Sequence, residues 1–186
     1  MAKIKRAFIS HDNADAPAAH RLARALEQAG VGVWIAPESI LPGENWVDAV
    51  NRGLRECQVL VLLLTPAAVQ SPWVYQEMSS AIILERDGQM RILPLVAEPC
   101  PESNIPPLWR IYQRIEAPTY ELRLNRLIGI LTGQDTSEIA DEMAILNDLR
   151  QALVSLEGED ALQELLRRYP ADTIHSTLSE WVQDVT

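Results

Sequence analysis

The sequence feature that most constrains the fold is a run of six consecutive apolar residues, Val59–Leu64. All six are Val or Leu, so both faces of a strand built from them would be apolar. Such a strand must be covered on both sides, as happens when helices pack on each face of a parallel sheet. The run is far shorter than the roughly 20 apolar residues that a membrane-spanning helix needs. It therefore predicts the central strand of an α/β protein.

Other apolar runs and stretches with helical spacing alternate on either side of this strand. The predicted strands are Arg6–Ser10, Val31–Ile35, Val59–Leu64, Arg91–Val96 and an edge strand over Tyr112–Glu116. Asn45 and Ser71 are suited to cap two of the helices between them, Pro72 fits a first helical position, and a closing helix is expected over Tyr120–Leu131. This alternation predicts an α/β fold with a flavodoxin-like, five-stranded parallel sheet.

The charge distribution predicts a second, smaller module. Residues 1–133 contain 13 basic and 14 acidic residues, whereas residues 134–186 contain three and twelve, which accounts for most of the net charge of −10. We expect one domain over 1–133 and an acidic helical C-terminal module over 134–186, with three short amphipathic helices broken at Gly158 and Pro170. This module is predicted to be an adaptor or oligomerisation element that binds a basic surface on an unknown protein partner. The alternative is that its helices dock on the first domain.

Composition excludes several classes of protein. The negative net charge argues against a nucleic-acid partner. Cys57 and Cys100 lie far apart without a CxxC pair, so neither a disulfide framework nor a metal site is expected. The segment Met1–Arg6 lacks the apolar stretch of a secretory signal, and no run is long enough to span a membrane. We therefore expect a cytoplasmic protein without membrane contact.

The loops that follow the first three strands are the expected ligand site, because ligands bind parallel α/β sheets beyond the carboxyl ends of the strands. The first of these loops, His11–Asp15, contains no glycine, which argues against a dinucleotide-binding oxidoreductase. The third strand is followed by Thr65 and Pro66, where a phosphorelay receiver would need an aspartate.

Four motifs in these loops and helices resemble the TIR (Toll/interleukin-1 receptor) domain family over about residues 4–133. In chain order they are Phe8-Ile9-Ser10-His11-Asp12 with Asp15, Val33-Trp34, Ile40-Leu41-Pro42-Gly43-Glu44-Asn45-Trp46, and Ser71-Pro72-Trp73-Val74-Tyr75-Gln76-Glu77. The last contains a WxxxE pattern formed by Trp73 and Glu77. The chain departs from the family at His11, where a tyrosine is usual, and at Ala36-Pro37, where an acidic residue is common.

The resemblance implies an enzyme that cleaves NAD⁺ at the nicotinamide–ribose bond, with Glu77 as the catalytic residue. The substrate-binding residues implied are Ser10, His11, Asp12, Trp34, Ala36, Ser39 and Trp73. Nicotinamide leaves as a neutral molecule, so no general acid is needed, and one carboxylate can stabilise the oxocarbenium-like ribose. Linear and cyclic ADP-ribose products both remain open. No cofactor is expected, since NAD⁺ is the substrate.

Self-association is also implied by the resemblance. The loop after the second strand, Ala36–Glu44, corresponds to the family's BB loop, and its residues Pro37, Ile40, Leu41, Pro42 and Gly43 are expected to contact a second TIR domain. In a bacterial protein this activity would serve antiphage immunity. The alternative is a non-enzymatic TIR scaffold or adaptor for homotypic TIR–TIR signalling interactions, in which Glu77 has no catalytic role and is a solvated residue of an amphipathic helix. In either case Trp46 and Trp73, near helix starts, are expected to be mainly structural aromatics.

Overall fold

A computed structural model describes residues 4–117 and 119–133. The strands are β1 (Arg6–Ser10), β2 (Gly32–Trp34), β3 (Val59–Leu64) and β4 (Arg91–Val96). The helices are α1 (Ala16–Gln28), α2 (Trp46–Glu56), α3 (Pro72–Arg86) and α4 (Tyr120–Thr132), with single 3₁₀ turns at Asn13–Asp15, Ala68–Gln70, Glu102–Asn104 and Pro107–Trp109. Residues 4–116 and 130–133 form one compact unit, and residues 117 and 119–129 belong to a second.

All four strands are parallel and lie in the order β2-β1-β3-β4. Every residue of β3 is buried, as its two apolar faces predict. The bounds predicted for β1, β3 and β4 are confirmed, while β2 is shorter than predicted by one residue at each end. This order places the carboxyl ends of β1 and β3 side by side, with Ser10 opposite Leu62.

The predicted fifth strand is reduced to one residue. Ile115 forms a single parallel bridge with Leu95, in which its N–H donates to the carbonyl of Pro94 at 2.8 Å and its carbonyl accepts from the N–H of Val96 at 3.1 Å. The next ladder bond towards the N-terminus would need an N–H at residue 94, where β4 has a proline. Tyr112 itself lies in a turn, its N–H donating to the carbonyl of Trp109. Within the described residues the sheet therefore has four strands.

Two helices begin at the caps that the sequence predicts. The side chain of Asn45 accepts from the N–H groups of Val47 at 2.9 Å and Asp48 at 3.3 Å, at the start of α2. Ser71 caps α3 by accepting from the N–H of Val74 at 3.5 Å, and Pro72 occupies the first helical position. These caps satisfy amides that the first turn leaves without helical partners.

Trp34 lies in the core of the first unit. Its ring is fully buried and stacks on Phe8 with a centroid separation of 4.5 Å and an interplanar angle of 8°. The ring packs so tightly on α2 that a Cβ added to Gly53 would lie 2.4 Å from its Cε2 atom. Glycine in mid-helix costs about 1 kcal/mol relative to alanine, and here it makes room for the indole.

The C-terminal prediction falls mostly outside the described residues. Helix α4 begins where the sequence predicts and is capped by Thr119, whose Oγ1 accepts from the N–H of Leu122 at 3.3 Å. The acidic module over 134–186 and its three helices lie outside the part that the structure describes, so they stay predictions. None of the helices in that described part has both the length and the apolar character for a bilayer span.

Candidate functional site

A buried hydrogen bond joins the end of β1 to α3. Ser10 is the last residue of β1 and is fully buried, and its Oγ donates to Oε2 of Glu77 at 2.6 Å. Glu77 lies in the second turn of α3 and is only 4% exposed. Most glutamates on helix surfaces are solvated, and carboxylates are rarely buried without a partner. The buried, hydrogen-bonded side chain of Glu77 therefore differs from the usual helix glutamate.

Burial raises the pKa of Glu77 to about 7, because a carboxylate loses its hydration inside the protein. The Ser10 hydroxyl opposes this effect by donating to the charged form, and the indole of Trp73 opposes it more weakly. The indole Nε1–H has no hydrogen-bond partner of standard geometry, so Ser10 is the main group that stabilises the carboxylate. Near neutral pH, both protonation states of Glu77 are therefore populated.

Glu77 borders a cleft of about 380 Å³, including the space open to solvent at its mouth, between α2 and α3. Helix α2 contributes three apolar side chains and one carboxamide, and α3 contributes an indole, a second carboxamide, a hydroxyl and the carboxyl of Glu77. The lining residues are Val47, Val50, Asn51, Leu54, Trp73, Gln76, Glu77 and Ser80. The site thus has one ionisable group among apolar and neutral polar walls.

Trp73 supports one wall of this cleft. Its ring contacts Trp46 edge to face, with centroids 5.3 Å apart and an interplanar angle of 62°. Trp46 is 40% exposed and begins α2, so the pair holds the N-terminal ends of the two helices together. Trp73 is therefore both a structural aromatic and a residue of the cleft.

The loop after β1 is held by its own acidic side chains. Asp12 accepts from the N–H of Ala14 at 3.0 Å, and Asp15 accepts from the hydroxyl of the buried Thr65 at 2.6 Å. His11 is half-buried, and burial lowers its pKa below the usual 6.5, with a further lowering by nearby His20. Asp12 thus has a structural role in this loop, and His11 is largely neutral near pH 7.

The BB loop ends in a tight turn. Pro42 and Gly43 occupy its centre, Gly43 has a φ of +81°, and the N–H of Glu44 donates to the carbonyl of Leu41 at 3.0 Å, the arrangement of a type II turn. Glu44 anchors the turn to α2, because its carboxylate accepts from Nε of Arg52 at 3.1 Å and from Nη2 at 2.9 Å. This pair lowers the pKa of Glu44.

The predicted BB-loop residues divide into exposed and inward-facing groups. Leu41 is 67% exposed, and Pro37, Pro42 and Gly43 are exposed as well. Ala36 and Ile40 are partly buried against the core. Ser39 closes the beginning of the loop, its Oγ accepting from the N–H of Ile35 at 2.9 Å.

The structure brings together three of the predicted site residues, Ser10, Trp73 and Glu77, and corrects one. Trp34 was expected to offer an aromatic surface to the substrate, but its ring is fully buried between Phe8 and Gly53 and presents no surface to a ligand. Short strands such as Val33-Trp34 do not reveal which face is covered, which explains the error.

Sequence reasoning missed three polar residues of the cleft, Asn51, Gln76 and Ser80. A signal for Ser80 was available, because it follows Glu77 by three residues and shares its helical face. Asn51 could not be found this way, since it comes from a different helix. Among the described residues, no group of three or more His, Cys, Asp or Glu side chains is placed to hold a metal ion.

Comparison with known proteins gives a family and several relatives. A family model described as "TIR domain" matches residues 7–128. The chain is 27% identical over 146 residues to the NAD(+) hydrolase PdTIR of Paracoccus denitrificans (strain Pd 1222), covering 76% of this chain and 44% of the relative. It is 29% identical over 89 residues to the 2' cyclic ADP-D-ribose synthase AbTIR of Acinetobacter baumannii (strain 1295743), covering 47% and 33%. The chain thus spans less than half the length of either curated relative.

A solved structure shares the fold. The TIR domain of the Toll-related receptor TRR-2 from Hydra magnipapillata superposes with a TM-score of 0.55 at 15% identity, covering 66% of this chain and 96% of that one. At this identity the likeness concerns the fold alone. The family match covers well over half of the chain, and with the parallel sheet and the ordered motifs it shows that this chain belongs to the TIR domain family.

Proposed function

We propose that this chain cleaves NAD⁺ between nicotinamide and ribose, with Glu77 as the catalytic residue. The observation that carries the proposal is the buried Glu77 carboxyl, held by Ser10 at 2.6 Å and bordering an open cleft. A solvated glutamate would need no such anchor. The names of the two bacterial relatives, an NAD(+) hydrolase and a cyclic ADP-ribose synthase, support the same chemistry.

The reaction fits a single carboxylate. When the bond between the ribose C1′ and the pyridinium nitrogen breaks, both bonding electrons stay with the nitrogen and nicotinamide leaves neutral. Positive charge then develops on the ribose, and the Glu77 carboxylate stabilises it at short range in a poorly hydrated site. Water completes hydrolysis by attacking C1′ and releasing a proton to solvent. In cyclisation a hydroxyl of the same ADP-ribosyl group attacks C1′ instead and releases its proton to solvent.

The raised pKa of Glu77 is compatible with this role. A carboxyl with a pKa of about 7 is ionised in a large fraction of molecules at neutral pH. The cationic pyridinium ring of the substrate would favour the ionised form further. The ionised carboxylate of Glu77 is thus disfavoured in the site without substrate, and the positive charge of the bound substrate stabilises it.

Self-association through the BB loop is the second part of the proposal. Leu41 is 67% exposed at the tip of a turn that the Glu44–Arg52 pair anchors to α2. An ordered loop with an exposed apolar tip suits a contact with a second copy of the domain. The same feature favours the alternative function, a TIR scaffold without catalysis.

Two broader proposals follow from the family and from the charge distribution. We propose that the chain acts in the cytoplasm in antiphage immunity, where depletion of NAD⁺ or release of a nucleotide signal would stop phage growth. We also propose that residues 134–186 form a separate acidic module, since three basic and twelve acidic residues favour a partner with a basic surface. Phage plaque counts on cells that express the chain or its Glu77→Gln variant test the first proposal.

The experiment that tests the enzymatic proposal is incubation of the purified chain with NAD⁺, with chromatographic separation of nicotinamide and the ribosyl product. Release of nicotinamide is expected, and the retention of the second product distinguishes ADP-ribose from a cyclic form. The assay is repeated at high protein concentration and with a crowding agent to favour assembly. Absence of nicotinamide under all these conditions would favour the scaffold function.

A further inference from the structure

The position of Glu77 restricts where the leaving base must lie. The nicotinamide ring is bonded directly to the ribose carbon on which positive charge develops. If Glu77 stabilises that carbon, as proposed above, the ring lies within a few bond lengths of the carboxylate. The cleft between α2 and α3 adjoins Glu77 and opens to solvent, so among the described residues it offers a space for the base.

The walls of this cleft suit a flat aromatic ring. Val50 and Leu54 are buried on α2, and Val47 extends the apolar wall towards the mouth, where it is 57% exposed. Trp73 lines the α3 side and is fixed by its contact with Trp46. Apolar and aromatic walls with a few polar groups are the usual composition of a small-molecule site.

The polar groups of the cleft are two primary carboxamides, Asn51 on α2 and Gln76 on α3. In the part of the chain that the structure describes, neither amide side chain makes a hydrogen bond to protein. Ser80, the third polar residue, donates to the carbonyl of Gln76 at 3.0 Å, so its hydrogen is already engaged. The two amides, of which Asn51 is partly buried and Gln76 is exposed, are therefore free of partners among the described residues and open to a ligand from opposite helices.

A carboxamide is the substituent that two such amides complement. Each primary amide offers two N–H donors and a carbonyl acceptor, so a ligand carboxamide can donate to one and accept from the other. Glu77 is the only ionisable side chain among the eight that line the cleft, which disfavours a negatively charged substituent there. We infer that Asn51 and Gln76 recognise the carboxamide of the nicotinamide base and thereby determine which dinucleotides this site accepts. This inference rests on the proposed function and deepens it.

The test compares two substrates across variants of the full chain. The first is NAD⁺, and the second is the analogue whose base is unsubstituted pyridine, which lacks the carboxamide. The variants are Asn51→Leu and Gln76→Leu, which keep roughly the side-chain size and remove the amide. Because the difference in leaving-group reactivity is the same in every variant, it cancels when the ratios of kcat/KM for the two substrates are compared.

We expect each variant to reduce the preference for NAD⁺ over the pyridine analogue by about fivefold to tenfold, the effect of one hydrogen bond. The kcat/KM for the pyridine analogue should stay close to that of the unaltered chain. Gln28→Leu, an exposed glutamine of α1 outside the cleft, is the matched control and should leave the preference unchanged. Asn51→Ser replaces Asn51→Leu if the larger apolar residue prevents folding.

An unchanged preference in both variants, with NAD⁺ still cleaved, would overturn the inference while the proposed function stands. An equal loss for both substrates would also overturn it, since that result indicates a structural role. Failure of the unaltered chain to cleave either dinucleotide would refute the proposed function and the inference together.

Discussion

The Ser10 hydroxyl donates to the Glu77 carboxylate at 2.6 Å, across 67 residues of sequence and between a strand end and a helix. Both side chains are almost fully buried. The contact holds the carboxylate of this cleft-lining residue at the end of β1, and it favours the charged state that burial opposes. We therefore propose that Ser10 acts as a positioning residue for Glu77, and most of the predictions for this site depend on that pair.

Removal of the Ser10 hydroxyl should change the pH dependence of activity. In the unaltered chain we expect kcat/KM to rise roughly tenfold between pH 6 and 8 as Glu77 ionises with a pKa of about 7. The Ser10 hydrogen bond lowers that pKa, so Ser10→Ala should move the rise to higher pH and lower activity at pH 7. Initial rates from pH 5.5 to 9.5 measure the shift.

Ser79→Ala is the matched control for this experiment, because Ser79 is an exposed serine on α3 whose hydroxyl donates to the Tyr75 carbonyl. Its pH profile should coincide with that of the unaltered chain. A Ser10→Ala profile that is lowered at every pH without displacement would contradict the proposed role of the hydroxyl.

Neutralisation of Glu77 should stabilise the protein at high pH. The folded pKa of about 7 lies above the ordinary value of 4.5, so the folded state binds the proton more tightly than the unfolded chain. The resulting stability is present below about pH 4.5 and is lost as the pH rises through 7. Ionisation of Glu77 therefore costs roughly 3 kcal/mol of folding free energy at pH 8.

Glu77→Gln keeps the side-chain shape and abolishes the titration. We expect its melting temperature to exceed that of the unaltered chain at pH 8 and to approach it at pH 5. Glu27→Gln, on the exposed surface of α1, should show no such trend. Thermal unfolding at both pH values decides the point, and a Glu77→Gln difference that is constant with pH would count against a raised pKa.

A methyl group at Gly53 should destabilise the fold. Alanine normally stabilises a helix relative to glycine, but here the new Cβ would lie 2.4 Å from the buried Trp34 ring. We expect Gly53→Ala to lower the free energy of unfolding by about 1–3 kcal/mol, as other overpacked cores do. Urea unfolding measures it, with the exposed Gln28→Ala as the control. A gain in stability would mean that Trp34 can move without cost.

Activity should depend on self-association through the tip of the BB loop. We expect the specific activity of the unaltered chain to rise with protein concentration. Leu41 is 67% exposed, so Leu41→Asp should leave the melting temperature unchanged and reduce specific activity most strongly at low concentration. Ile111→Asp, which alters a residue 73% exposed outside the loop, is the matched control. Specific activity that is independent of concentration in all three proteins would contradict assembly.

Much of the fold could be predicted because local signals agree with the tertiary structure. The apolar run Val59–Leu64 becomes β3 without change, since only a doubly covered strand can bury both faces. Asn45 and Ser71 cap the helices they were expected to cap, because their side chains satisfy amides within the same turn. An apolar run and a helix cap can both be recognised from residues that are adjacent in the sequence.

Features that depend on distant parts of the chain were predicted less well. A fifth strand was expected over Tyr112–Glu116, but within the described residues only Ile115 forms a bridge to β4. Trp34 was assigned to the substrate because a three-residue strand does not show which face is covered. The family motifs predicted Glu77 as the catalytic residue. Its contact with Ser10 could not be predicted from them, because that contact depends on how α3 packs against β1.

The most direct test of the central claim is the rate of nicotinamide release from NAD⁺ by the unaltered chain and its Glu77→Gln and Glu27→Gln variants, at the same concentration and at pH 8. Each variant replaces one glutamate by its neutral isostere, one beside the cleft and one on the exposed surface of α1. We expect Glu77→Gln to lose at least about 100-fold in rate, the scale of removing one stabilising group from the transition state. Glu27→Gln should match the unaltered chain. Equal rates in all three proteins would contradict the account.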